Sequence, residues 1–154
     1  MISTYLSSGQ SSVLYKKLVD EKKMALQVFA GNNSQEDYGI YLIGGLPLGD
    51  TKLSDLTIEI DDEIEKLKSE LISERDFEKI QNIFESQYVS SNSTIQGIAN
   101  SLARYHVLYG DVNLINNEID IYRSVTREEI QEVAKLYLNK NQRLELKYLP
   151  KNNQ

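Results

Sequence analysis

Residues 11–29 read SSVLYKKLVDEKKMALQVF. Val13, Leu14 and Leu18 recur at helical spacing, and Lys16, Lys17, Asp20 and Glu21 occupy solvent-type positions. The spacing predicts an amphipathic helix over residues 6–19 that runs directly into a strand. Leu26–Ala30 and Gly39–Ile43 are short apolar, β-branched or aromatic runs, and the polar set Gly31–Asp37 between them suits a hairpin-like connection. Two adjacent antiparallel strands are therefore expected. Gly44, Gly45, Pro47 and Gly49 then break the pattern.

From Leu53 the series Leu56, Ile60, Ile64, Leu67 and Leu71 advances by three or four residues at each step, one stripe of a long helix. Ser73-Glu74-Arg75-Asp76 resembles a capping box with Asp in place of the usual Glu or Gln, and Phe77, Ile80, Phe84 and Tyr88 carry the stripe of a second helix. These two helices are expected to pack antiparallel. After the polar break Ser90–Thr94, residues Ile95, Ile98, Leu102 and Tyr105 mark a further helix ending near Gly110.

A short helix is expected over Asn117–Tyr122. Thr126-Arg127-Glu128-Glu129 is a capping box, with Val125 and Ile130 spaced as its hydrophobic staple. Losing such a cap costs about 0.5–2 kcal/mol, so Thr126 is assigned to stability and not to chemistry. Leu144, Leu146 and Tyr148 alternate with Glu145 and Lys147, which predicts a final half-buried strand ending at Pro150. Residues 1–150 read as a single domain and 151–154 as a tail. The pattern is α+β, with helices on one face of a mostly antiparallel sheet. Three strands are few for so helical a chain, so one or more first strands are expected before Met1 in a longer parent.

Composition narrows the function. At 154 residues the chain is long enough to bury about 68–70% of its unfolded surface. Its 40% hydrophobic and 26% charged content is ordinary for a globular domain. A net charge of −6, with dispersed Lys and Arg, argues against nucleic-acid binding. The absence of cysteine removes disulfides, thiolate nucleophiles and sulfur-ligated zinc. No apolar run reaches the roughly 20 residues of a membrane span, and MISTYLSSGQ lacks the pattern of a signal peptide.

Candidate chemistry is sparse. A zinc-peptidase motif H-x-x-E-H needs two histidines, and the chain has one, His106, read as a surface or partly buried helical residue. No G-x-S-x-G is present. The acidic run Glu59–Glu65 projects around a helix instead of converging from a loop, and is read as a solvated face. Ser7–Ser12 lacks the G-K-[ST] ending of a phosphate loop and is read as small-residue packing at the start of the helix.

The SSVLYKKLVDEKKMA segment, the strand pair with Asp37-Tyr38-Gly39, the helices around Ser73–Lys79 and the closing VTREEIQEVAKLYLNKNQRLELKYLP together resemble one family. It is the pitrilysin/insulinase-type zinc peptidases (M16, mitochondrial-processing-peptidase-like), and the resemblance is to their C-terminal, non-metal domain. This implies a LuxS/MPP-like metallohydrolase fold, and a bacterial fragment of a longer chain whose zinc lies in the parent, with no cofactor in the fragment. The implied partners are the N-terminal zinc-binding domain of the same parent, a partner subunit or a second copy, and a peptide substrate. The compartment stays open, with an exported or periplasmic bacterial parent as one reading.

In many members this domain supplies an arginine and, seven residues on, a tyrosine that reach the substrate near the zinc and stabilise developing oxyanion charge. The matching positions here are Val19 and Leu26, and neither side chain can donate a hydrogen bond. The expectation is therefore no catalytic, metal or substrate-binding residue. In the family's two-subunit enzymes one chain carries zinc and its partner the Arg/Tyr pair, so the parent resembles the zinc-carrying chain. The alternatives are a structural or assembly subunit of the family without peptidase activity, and an unrelated small acidic α+β binding domain.

Overall fold

The structure is a computed structural model and describes residues 1–149. Among the described residues there are two strands and six α-helices: α1 (Ile2–Ser7), β1 (Ala25–Ser34), β2 (Gly39–Pro47), α2 (Leu53–Ser69), α3 (Glu74–Ser91), α4 (Ile95–Tyr109), α5 (Leu114–Ser124) and α6 (Arg127–Tyr137). Between α1 and β1 lies a π-helical segment, Tyr15–Glu21, and a 3₁₀ turn follows at Lys140–Gln142.

The single helix expected over residues 6–19 is thus two pieces. Leu6 belongs to α1, and a turn containing Gly9 at φ 76° separates it from the next helical segment. A left-handed residue cannot lie inside a right-handed helix, and glycine adopts that geometry without steric cost. The Ser12 hydroxyl is fully buried and donates to the Gly9 carbonyl at 2.7 Å, so the Ser7–Ser12 stretch closes a turn. Lys79 Nζ pins the same turn to α3 by donating to the Ser11 carbonyl at 3.1 Å. The passage from helix to strand is also less direct than expected. Lys23 adopts φ 52°, and the Met24 amide donates to the Leu18 carbonyl at 2.8 Å, which closes the helix before β1 begins.

β1 and β2 form a two-stranded antiparallel sheet with an irregularity between Ala25 and Gln27. Both strands are longer than expected, because Gly44, Gly45 and Pro47 lie within β2 and do not break it. Gly44 pairs directly with Phe29, whose ring lies over the bare glycine: a Cβ there would sit 2.5 Å from the ring Cζ. Phe29, Ile40, Leu42 and Leu46 share this face by register and are about half exposed. The opposite face carries Val28, Ala30 and Ile43, and helices cover it. There the Ser7 hydroxyl accepts from the Ala30 amide at 2.7 Å, and Leu56 of α2 approaches Gly45. Helices on one face of an antiparallel sheet is the observed arrangement.

The core gathers Leu6, Leu14, Leu18, Val28, Leu56, Leu67, Ile72, Ile80, Ile130 and Ala134 around that covered face. Leu71 is largely exposed, and Ile72, at 4% exposure, takes its expected core place just beyond the end of α2. The main helical neighbour of α2 is α6, not α3. Ser73 caps α3 by accepting from the Asp76 amide at 3.1 Å. The reciprocal box forms only at α6, where the Glu129 carboxylate accepts from the Thr126 amide at 2.8 Å. Val125 packs on the core and Ile130 is buried, as the staple requires. Gly110 at φ 69° ends α4. The expected short helix extends over Leu114–Ser124.

The expected final strand is not formed. Residues 143–149 have no ladder partner, and Leu144, Leu146 and Tyr148 are 84%, 81% and 98% exposed. Alternation sets which side chains share a face, but a strand needs a neighbour to receive its backbone, and neither edge of the sheet is brought to this segment. Pro150 and the tail 151–154 lie outside the described residues.

Candidate functional site

Val19 and Leu26 lie on either side of the helix-to-strand junction. Val19 sits within the π-helical turn and is partly buried against the core, whereas Leu26, in the irregular start of β1, is 57% exposed. π-turns widen a helix by one residue and recur at functional sites. Here the widened turn presents a valine, so its geometry supplies no hydrogen-bond donor.

The acidic run on α2 differs most from its reading. Glu59 and Glu63, one helical turn apart, both face the preceding helical segment, where Lys17 Nζ lies 2.8 Å from a carboxylate oxygen of each. Lys22 also pairs with Glu59, and Lys66 with Glu63 at 2.8 Å. Lys17 is therefore not a solvent position; its side chain is 18% exposed, and that of Glu63 only 7%. Hydrogen bonds from Lys17 and Lys22 hold the Glu59 carboxyl below its usual range. Burial would push Glu63 up, yet the ammonium groups of Lys17 and Lys66 together bring it down. Burial likewise disfavours charged Lys17, and its two carboxylate partners overcome this and raise it.

On another side of α2, Asp61 pairs with Arg143 and with Lys140 at 3.4 Å. The Thr57 hydroxyl donates to Glu145 at 3.4 Å. The chain after α6 is thus tied to α2 by charge instead of by a strand ladder. The hydrogen bond to Asp61 raises Arg143 above its usual value. The pattern of the run offered one usable signal: carboxylates at 59 and 63 repeat at helical spacing, which marks a side able to meet cations. Which cations it meets depends on the tertiary fold.

His106 is exposed in the last turn of α4. Among the described residues, no group of three or more His, Cys, Asp or Glu is placed to hold a metal ion. A second polar constellation lies between α3, α4 and α5, and the sequence reading did not single it out. Glu118 accepts from the Tyr122 hydroxyl at 2.7 Å and from Tyr105, and Arg104 lies 3.6 Å from the same carboxylate. Tyr88 donates to the Ile115 carbonyl, and Phe84 and Tyr122 pack with ring centroids 5.0 Å apart. These residues are scattered over 39 positions, Phe84 to Tyr122, which is why no local motif reveals them.

A strand pair backed by helices on one face defines an α+β domain. Residues 1–84 match the family model described as the peptidase M16 inactive domain, and the chain belongs to that family. Over 108 residues it is 32% identical to the zinc protease PqqE of Helicobacter pylori, a match covering 69% of this chain and 24% of that protein. The crystal structure of a protease from Helicobacter pylori superposes with a TM-score of 0.82 at 26% identity, covering 92% of this chain and 34% of that one. An inactive peptidase domain from Bordetella parapertussis superposes at 0.83 with 23% identity, over 97% of this chain and 79% of that one. The chain thus spans about a quarter of the length of the Helicobacter zinc protease it matches.

Proposed function

We propose that residues 1–150 form the non-catalytic C-terminal domain of a zinc-dependent peptidase. In this reading the domain builds the wall of the substrate chamber that faces the zinc domain of the same parent. The observation that carries the reading is membership of the M16 inactive-domain family together with Val19 and Leu26 at the positions of the family's substrate-gripping donors. The half-exposed row Phe29, Ile40, Leu42 and Leu46 gives the sheet an apolar face on the side the helices leave open. An extended peptide could add to the edge of such a sheet through backbone hydrogen bonds.

Zinc, the peptide substrate, a partner subunit or second copy, and an exported or periplasmic location all belong to the parent in this proposal. The test is an assay of the parent on quenched fluorescent peptides, with and without a zinc chelator, beside the 154-residue chain alone. Chelator-sensitive cleavage by the parent and none by the chain is expected. Cleavage by the isolated chain would overturn the assignment.

Val19 and Leu26 also favour a second reading, a structural or assembly subunit of the family without peptidase activity. A parent that holds no zinc and cleaves nothing, alone or with its partner, would select that reading.

A further inference from the structure

The cleft between α3, α4 and α5 has a volume of about 220 Å³ and lies away from the sheet and from the positions of Val19 and Leu26. Asn92 lines it, and the Oδ1 of this residue, out of reach of solvent, has no hydrogen-bond partner among the described residues. The orientation of that amide is fixed, because its Nδ2 donates to the Tyr88 carbonyl at 3.1 Å, and exchanging oxygen for nitrogen would set two acceptors against each other. Glu118 lines the same cleft, its side chain 17% exposed. Phe84, Tyr105 and Tyr122 add aromatic surface.

A cation is already accommodated there. Arg104 lies 5.1 Å from the centroid of the Tyr105 ring and 3.6 Å from Glu118, while its own side chain is 56% exposed at the rim. The contact is loose and open to solvent, so Arg104 can swing away at little cost. What remains is a carboxylate, an unsatisfied carbonyl oxygen and aromatic rings, the combination that recognises an organic ammonium group. One ordered water could satisfy Asn92, but a water's share of liquid volume is about 30 Å³, far below the space available.

We propose that this cleft binds a primary alkylammonium group, with Glu118 and Asn92 as acceptors and Arg104 as the internal cation it displaces. The ammonium faces the Glu118 carboxylate in the place Arg104 vacates, and that displacement uncovers Asn92 Oδ1 as its second acceptor, while its alkyl chain lies along the aromatic rings. Two sources share this chemistry: a free amine and a lysine side chain within a peptide. The proposal does not depend on the peptidase reading, because its test uses only the 154-residue chain.

The test is a titration of the ¹⁵N-labelled chain, followed by amide shifts, with butylamine, with Nα-acetyl-lysine methylamide, and with the uncharged Nα-acetyl-norleucine methylamide. Saturable shifts at amides 88–92, 101–105 and 118–122 are expected for at least one of the ammonium compounds and not for norleucine. Saturation by butylamine alone assigns the free amine, and saturation by the lysine derivative assigns a peptide-borne side chain. Glu118→Gln keeps a group that the tyrosines can hydrogen-bond and is expected to weaken binding about tenfold. Arg104→Ala is expected to tighten it severalfold, a gain that a purely structural role would not produce, and Asn92→Ala, which removes the acceptor, is expected to weaken it severalfold. Absence of saturable shifts at these amides, equal affinity for norleucine, or unchanged affinity in both Arg104→Ala and Asn92→Ala overturns the proposal.

Discussion

Around the strand pair, Leu6, Leu14, Leu18, Val28, Leu56 and Ile80 interlock into one apolar core, whereas no residue of α4 or α5 belongs to that cluster. Glu118 ties α4 to α5 through the Tyr105 and Tyr122 hydroxyls, and the pair is held to α3 through the Tyr88 hydroxyl on the Ile115 carbonyl, the Arg123–Glu85 ion pair and the Phe84–Tyr122 ring contact. Ile95, Val107 and Tyr109 of α4 stay largely exposed. The two regions share secondary structure but not the means of cohesion. Burial of apolar surface is cooperative and non-directional, while a polar network holds only as long as its geometry does. The core half is therefore expected to set global stability, and the α4–α5 pair to open locally below it.

Four changes break or sharpen this contrast. Leu18 is fully buried, and Leu18→Ala is expected to cost about 2–5 kcal/mol in urea unfolding, the transfer loss plus the cavity left behind. A much smaller cost would place the stability of the molecule elsewhere.

Lys17→Met comes next, at about 1–3 kcal/mol, because it removes the shared partner of Glu59 and Glu63 and leaves two carboxylates side by side. Its signature lies in pH. Both carboxyls are held below their usual values in the folded chain, so their stabilisation is present above about pH 4.3 and is lost as pH falls through the depressed folded values. The raised Lys17 contributes fully below about pH 10.4, and its contribution is lost as pH rises through the higher folded value. Unfolding midpoints measured from pH 3 to 7 are expected to fall steeply toward acid in the native sequence and less so in Lys17→Met. An unchanged acid limb would remove the ion cluster from the account.

Tyr122→Phe is expected to cost about 0.5–1.5 kcal/mol, and mainly within α4 and α5. Amide exchange in those helices should quicken while exchange in β1 and α2 stays as it was. Burial and the hydrogen bond to Glu118 push the Tyr122 hydroxyl up to about 12, so this donor keeps its proton at neutral pH. Uniform acceleration across the chain would show that the two regions open together. The smallest change is a gain: Lys23→Gly relieves a left-handed backbone and is expected to raise stability by about 0.5–1 kcal/mol, read from the thermal midpoint.

The same contrast separates what the sequence revealed from what it hid. Local rules placed α2 through Leu56, Ile64 and Leu67, the α6 cap through Thr126 and Glu129, and the end of α4 through Gly110. Each of these depends on neighbours a few residues away. Leu144, Leu146 and Tyr148 alternate as a strand would, yet a ladder needs a second strand that no local pattern can guarantee. Glu63 and Lys17 lie 46 positions apart, so pairing a seemingly solvated acid with a seemingly solvated base requires the packed fold. Val19 and Leu26 drew attention only through a family resemblance, whereas the Glu118 cleft draws on three helices and left no motif.

The ring of Phe29 over Gly44 also bears on how the chain finds its fold. A slip of one residue between β1 and β2 would move the apolar row of β2 to the other side of the sheet, and a slip of two would set the ring opposite Leu42 or Leu46 instead of the bare Gly44. The aligned pairing is thus singled out early, in a hairpin whose strands are close in sequence and can meet within microseconds. Because an isolated hairpin is marginal, the helical segments then arrest it by packing on Val28 and Ala30. A ring and a glycine in this way act on the order of folding events as well as on their outcome.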